Sequence, residues 1–236
     1  MKSFIALMVL FSSLVTFADS DRHLIMVNGS AEKTVEPNMV IVRIESWAKA
    51  STAKKAQDQQ ATQYTQFKNS LDRYKIKKED VKTEGYSVNP EYTYDQKTQT
   101  NRITGYRVSH NVSVIYRKTD DVGQFLDAVV VSKNESSGIG IQSVAWDYDK
   151  KAEVESSALG DAVKNARSKA EELAKAAGVK IKAVHKIQHT SYAPPTPQPM
   201  FEKAMMMRAA SDSAVSTELS SGQIKVRVDV QMEFEI

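Results

Sequence analysis

The sequence predicts an α+β protein, a largely antiparallel sheet with about three helices packed on one face. Three observations carry this. Several segments alternate apolar and polar residues with a period of two, which marks half-buried strands. Three others place apolar or alanine residues at helical spacing. The segments follow in the order ββα, ββα, β, α, β, β, which reads as α+β.

The elements follow in turn. Leu24 to Gly29 is a short apolar strand. After Pro37, the residues Val40, Val42, Ile44 and Ala48 alternate with Ile41, Arg43, Glu45, Trp47 and Lys49. From Ser51 to about Tyr74 the period changes, and Ala53, Ala56, Gln60, Tyr64, Phe67 and Leu71 recur at helical spacing. Ser51 or Thr52 is the natural N-cap, because a short side-chain oxygen accepts an orphan N–H of the first turn.

Gly85-Tyr86-Ser87-Val88 is echoed by Gly105-Tyr106-Arg107-Val108, with polar, turn-like residues 95–101 between them. This reads as a hairpin with a long tip. Pro90 cannot donate to a ladder, so its strand belongs at a sheet edge. In the second arm Tyr106, Val108, His110, Val112, Val114 and Tyr116 share a face.

Thr119-Asp120-Asp121 opens a second helix, with acids at the positive end of its dipole and Val122, Phe125, Leu126 and Val129 on its apolar side. Ser136-Ser137-Gly138 breaks it, and Ile139 to Tyr148 is a strand. The third helix runs from about Lys150 to Ala177 and ends at Gly178, which takes the left-handed C′ conformation readily. Its stripe is mostly alanine: Ala152, Leu159, Ala162, Val163, Ala166, Ala170, Leu173, Ala174 and Ala177. That permits a close approach to a sheet. Ile181 to His189 is a strand, followed by the stiff linker Pro194-Pro195-Thr196-Pro197-Gln198-Pro199. The Pro/Met/Ser-rich loop spans 191–221. The last strand, Ile224 to Ile236, is regular enough to belong inside a sheet rather than at its edge.

Residues 1–18 have the pattern of a secretory signal peptide: Lys2, an apolar run from Phe4 to Phe11, and Thr16-Phe17-Ala18 at the cleavage site. The expected mature chain, 19–236, is one domain, located in the periplasm. It is large enough to bury roughly 70% of its unfolded surface, so it needs no disulfide or metal to fold. The chain has no cysteine, which also excludes a lipid anchor on an N-terminal cysteine. No later segment is long and apolar enough to span a bilayer. The formal charge is +3, of which Lys2 leaves with the leader. The lysines are spread along the chain, so no nucleic-acid partner is expected.

No catalytic constellation stands out. Ser51 and Lys54 match S-x-x-K at a helix start, but the S-D-N and K-T-G partners of such serine enzymes are missing. Gly138-Ile139-Gly140 lacks the third glycine of a dinucleotide loop and precedes a strand. Asp147-Tyr148-Asp149-Lys150 opens like a calcium loop without its sixth-position glycine. Asn28-Gly29-Ser30, Asn111-Val112-Ser113 and Asn134-Glu135-Ser136 are formal glycosylation sequons. Met200, Met205, Met206 and Met207, with His185 and His189 upstream, are soft ligands for Cu(I), an oxidant sink, or simply packing residues; the last is the expectation. His110 is expected as a hydrogen-bonded core residue, and His23 sits near the cleavage site. The sequence thus predicts no enzyme, no cofactor and no metal.

Taken in order, these segments resemble the SIMPL domain family, which includes bacterial periplasmic immunogenic proteins and an oxidative-stress defence protein. The matching residues are Val27-Asn28-Gly29-Ser30-Ala31, Val35-Glu36-Pro37-Asn38-Met39-Val40, Val81-Lys82-Thr83, Asn89-Pro90-Glu91-Tyr92, Gly105-Tyr106 and Asn111-Val112. The alanine-rich helix, the Pro/Met insert and the last strand complete the match over 24–236. Ser30 and Asn38 depart from the family's commonest residues. The resemblance implies an exported α+β protein that forms large ring-like or channel-like homo-oligomers, with no established activity. The leading expectation is an exported, non-enzymatic, self-assembling protein supporting envelope or oxidative-stress tolerance. The alternative is a periplasmic binding module for a peptide, cell-wall fragment or metal, using the 95–101 and 191–221 loops.

Overall fold

The computed structural model describes residues 23–192 and 217–236. The expected leader and most of the Pro/Met/Ser-rich loop lie outside these residues, Met200 and Met205 to Met207 among them. The elements are β1 (Leu24–Val35), β2 (Met39–Ala50), α1 (Ala53–Arg73), β3 (Val81–Asp95), β4 (Thr100–Tyr116), α2 (Val122–Val129), β5 (Val131–Asn134), β6 (Ser137–Asp147), α3 (Lys151–Ala176), β7 (Ala183–Tyr192) and β8 (Ile224–Glu235).

The α+β class and the antiparallel pairing hold. The strands divide into two sheets, one ordered β3-β4-β2-β6-β5 and the other β1-β8-β7. The division falls at Glu36-Pro37-Asn38: β1 pairs with β8, whereas β2 pairs with β4 and β6. Two edge predictions are met. β3, which holds Pro90, is outermost, and β8 lies between two neighbours.

α1 and α2 pack on the larger sheet. Val40, Val42 and Ile44 of β2, Val112, Val114 and Tyr116 of β4, Phe67 and Leu71 of α1, and Phe125 and Leu126 of α2 form one buried core. Tyr116 and Phe125 stack with centroids 4.6 Å apart. Thr52 caps α1, accepting from the Lys55 N–H at 3.3 Å. Lys75 ends it with a positive φ of 57°, a place the sequence does not signal with glycine.

α3 packs on the smaller sheet through Ala158, Ala162, Ala166, Ala170 and Ala174, all buried. Those alanines let backbone meet backbone. A Cβ added to Gly29 in β1 would lie 2.2 Å from the Ala162 carbonyl oxygen. At the helix end, Gly178 has φ +70°, its N–H donates to Lys175 O, and the Val179 N–H donates to Ala174 O. This double bond pattern satisfies the orphan carbonyls as expected of a C′ glycine.

Three local expectations change. The hairpin tip is not a long loop: β3 runs to Asp95, β4 starts at Thr100, and only a four-residue turn separates them. Past Pro90 and Tyr106, β4 has no partner in β2, so β3 and β4 continue as a two-stranded ribbon. The second helix ends at Val129, and residues 131–134 form a short strand the sequence did not reveal. Leu173, placed in the α3 stripe by its spacing, is 51% exposed, because strict four-residue spacing suffices for contact with a three-stranded sheet.

Candidate functional site

The sequence-flagged residues are scattered. Ser51 is exposed, and the Lys54 ammonium pairs with Asp58 one turn along α1. The cap is Thr52, not Ser51. Gly138 and Gly140 lie within β6, which offers no helix start for a phosphate. Asp149 binds Asn38 through two hydrogen bonds, of 2.7 and 3.1 Å, and Asp147 pairs with Lys151. These acids tie β6 to the start of β2 and α3 instead of forming a cation loop. His185 Nδ1 lies 3.2 Å from Glu235, whereas His189 pairs in register with Val230, whose side chain faces α3. Opposite faces of β7 therefore separate the two imidazoles. No group of three His, Cys, Asp or Glu that could hold a metal occurs among the described residues.

His110 sits where the sequence placed it. Its Nε2 is 3.0 Å from Thr83 Oγ1, and its ring lies between Tyr64 and Tyr86, at centroid distances of 4.4 and 5.6 Å. Burial holds its pKa below the ordinary histidine value. Beside it, under α1, Gln60 donates to Ser46 and Gln63 donates to Ser137, so a short polar seam continues the apolar core.

The other face of the larger sheet carries a network the sequence reading missed. Glu45 Oε1 accepts from Ser109 Oγ at 2.6 Å and from Arg107 Nη2 at 3.0 Å. The Arg107 guanidinium lies 4.6 Å from the Trp47 ring centroid. Burial raises the Glu45 pKa, but the bonds from Ser109 and Arg107 outweigh it and hold the carboxyl below its usual range. Glu45 and Trp47 are two apart on β2, and Arg107 and Ser109 two apart on β4, so the pattern of two could have flagged a shared face. Which strands are neighbours is not a local property.

The outward-facing chemistry concentrates on the ribbon. Tyr92 is 58% exposed, Tyr94 57% and Ile103 48%. Tyr92 pairs with Ile103, so their side chains stand on one face, with Tyr94 two residues on. The turn itself is polar and closed on itself: Asp95 Oδ1 accepts from the Lys97 N–H, and the Thr98 and Thr100 hydroxyls bond each other. The expected 95–101 binding loop is thus a tight turn, and the ribbon behind it is the available surface.

Residues 25–234 match the SIMPL family, described as a protein of unknown function (DUF541). The chain belongs to the SIMPL family. Its relatives include the 26 kDa periplasmic immunogenic protein of Brucella melitensis, 31% identical over 218 residues, which cover 90% of this chain and 84% of the relative. The same protein of Brucella abortus strain S19 aligns with the same identity and coverage. The uncharacterized protein YggE of Edwardsiella ictaluri is 29% identical over 214 residues, covering 89% of this chain and 84% of the relative. Residues that carry the SIMPL likeness have packing roles in this fold. Gly29 admits α3, and Gly105 lies 2.8 Å, measured from an added Cβ, from the Ala50 carbonyl. No described helix of this SIMPL chain is long and apolar enough to cross a membrane.

Proposed function

We propose that the mature chain is a non-catalytic protein of the bacterial envelope that assembles with itself and supports envelope or oxidative-stress tolerance. One observation carries the assembly reading. The β3–β4 ribbon stands clear of the larger sheet and presents Tyr92, Tyr94 and Ile103 together on one exposed face. A two-stranded ribbon is marginal alone in water, and clustered exposed aromatic side chains mark protein contacts. The leader-like residues 1–18 and the relatives named as periplasmic proteins support an exported location.

The test is the solution mass of residues 19–236 by light scattering on a sizing column. The expected result is a defined oligomer, with a lower mass and unchanged thermal midpoint when Tyr92, Tyr94 and Ile103 are all replaced by serine. A strictly monomeric chain at high micromolar concentration overturns the reading. For the stress role, a deletion strain carrying the serine variant should show the same peroxide sensitivity as the deletion. Full complementation by a variant that no longer assembles would separate tolerance from assembly.

A further inference from the structure

The chain passes between the two halves at one place. β1 ends at Val35, which pairs in register with Ile224, the first residue of β8. The passages 36–38 and 220–223 therefore leave the smaller sheet side by side. The passage 148–150, between β6 and α3, is bonded to the first of them. The Asn38 N–H donates to Asp147 O at 3.1 Å, and Asn38 Nδ2 donates to Asp149 Oδ1 at 2.7 Å. The Asp149 N–H donates back to Asn38 Oδ1 at 3.1 Å. A further passage, from Tyr192 to Thr217, is described only at its ends, and Tyr192 pairs with Arg227, near the same end of β8.

Elsewhere the halves stay apart. Among the described residues, no strand or helix of the smaller half packs along one of the larger. Their hydrophobic cores are separate, one under α1 and α2 and one under α3. Units that share little interface move relative to one another unless something else holds them. Here the hold is polar. Arg117 Nη1 lies 3.5 Å from Asp149 Oδ2, so Asp149 is gripped by Asn38 on one side and Arg117 on the other. Arg117 is anchored in the larger half by Asp80, just before β3, through Nη2 at 3.0 Å and Nε at 3.4 Å. The Asp80 side chain is only 7% exposed and makes a fixed post. Arg117 and Asp149 are 46% and 38% exposed, so water and salt compete for that outer pair. In the return passage Gly222 has φ +62°, and a glycine there changes its dihedrals at little steric cost.

We propose that these passages form a hinge about which the smaller half turns as a rigid body, and that the Asn38–Asp149–Arg117 clasp locks it at one angle. Hinge motion needs only a few element-terminal residues to absorb the change in backbone dihedrals. The ends of β1 and β6 and the stretch 220–223 supply them. Removing the Asp149 carboxylate opens both grips, whereas removing the Asn38 amide opens one. The inference rests neither on the ribbon nor on assembly.

The experiment uses residues 19–236, whose lack of cysteine lets spin labels sit at introduced cysteines alone. Asn69→Cys on α1 and Ser168→Cys on α3, both exposed positions, report across the hinge. Asn69→Cys with Lys82→Cys, also exposed, reports within the larger half. Labelled protein is diluted into an excess of unlabelled protein, so that pairs between copies are not read, and distance distributions are taken by double electron–electron resonance. Ser168 lies roughly 26 Å along α3 from Lys151, so a swing of about 15° moves it by about 7 Å. In the wild type the two distributions should be equally narrow. Asp149→Ala should widen the one across the hinge at least about twofold, and Asn38→Ala should widen it less, with the internal pair unchanged in both. Circular dichroism checks that each variant is folded, and Asn38→Ala alone decides if Asp149→Ala is not. An unchanged distribution across the hinge in the folded variants overturns the proposal. So does a wild-type distribution already as broad as that of the variants, because the clasp then locks nothing. Equal widening of the internal pair also overturns it, in favour of a general loosening of the fold.

Discussion

The two halves of the molecule place a helix on a sheet with opposite materials. The larger sheet meets α1 and α2 through Phe67, Leu71, Phe125 and Leu126, against valines, Ile44 and Tyr116. The smaller sheet meets α3 through five alanines, against Val228, Val230, Met232 and Phe234 of β8 and a glycine of β1. In the first, bulky groups fill the space between layers, and stability resides in their volume. In the second, the space is nearly absent, and stability depends on nothing being added. Core removal and core addition should therefore wound different halves.

The largest effect is expected from removal in the aromatic core. Phe125→Ala leaves the Tyr116 ring without its stacked partner and should cost about 3–5 kcal/mol in urea unfolding. A loss under about 1 kcal/mol would mean the core closes over the gap, contrary to tight packing. Next comes addition in the alanine layer. Ala162→Leu or Gly29→Ala forces side-chain atoms into a backbone contact and should cost about 1–3 kcal/mol. If Ala162→Leu unfolds at the wild-type midpoint, α3 slides freely on β1 and the contrast between halves fails.

A smaller effect tests what closes the larger half. The chain returns at Thr217, whose N–H and hydroxyl both donate to the Asp127 carboxylate, at 3.1 and 2.6 Å, and Leu219 packs into the aromatic core. Asp127→Ala should cost about 1–2 kcal/mol and raise hydrogen exchange at 217–219 before it does so in β8. Simultaneous exchange in both regions would show that this return segment belongs to neither half in particular.

The smallest effect is a pH slope carried by the larger half. Burial depresses the His110 pKa, so below the ordinary histidine value of 6.5 the unfolded chain takes its proton first. Stability present above pH 6.5 is then lost as pH falls through the folded pKa. Thermal midpoints between pH 8 and pH 5 should fall less in His110→Gln than in the wild type, by the share this group contributes. Equal slopes would place the acid sensitivity elsewhere.

Local signals carried much of this fold into the sequence. The Gly178 stop, the edge position of Pro90 and the central placement of the last strand each follow from one residue's chemistry or from a pattern of two. The family was legible for a related reason: Gly29 and Gly105 mark close backbone approaches that a larger residue does not permit. The surfaces argued here were not legible. Ile103 and Tyr92 are ordinary strand residues until pairing puts them side by side on a ribbon beyond β2. Val184 and Ile187 are ordinary strand residues until the register sets them beside the buried Phe234 and Met232 while they themselves stay exposed. β5, only four residues long, is too short for periodicity to register.

The sequence by itself determined the class, the helices, the alternation of each long strand, and a leader-like start to a chain without cysteine. Those properties are set by neighbours a few bonds or one turn away. Only the tertiary structure decided that the strands form two sheets, that Arg107 stacks on Trp47 above Glu45, and that α3 covers the β1 edge of the smaller sheet while β7, among the described residues, pairs with β8 alone. Period-two patterning says which face a residue takes but not which strand lies beside it. That choice depends on residues a hundred or more positions apart, as Asn28 and Gln231 are in the smaller sheet.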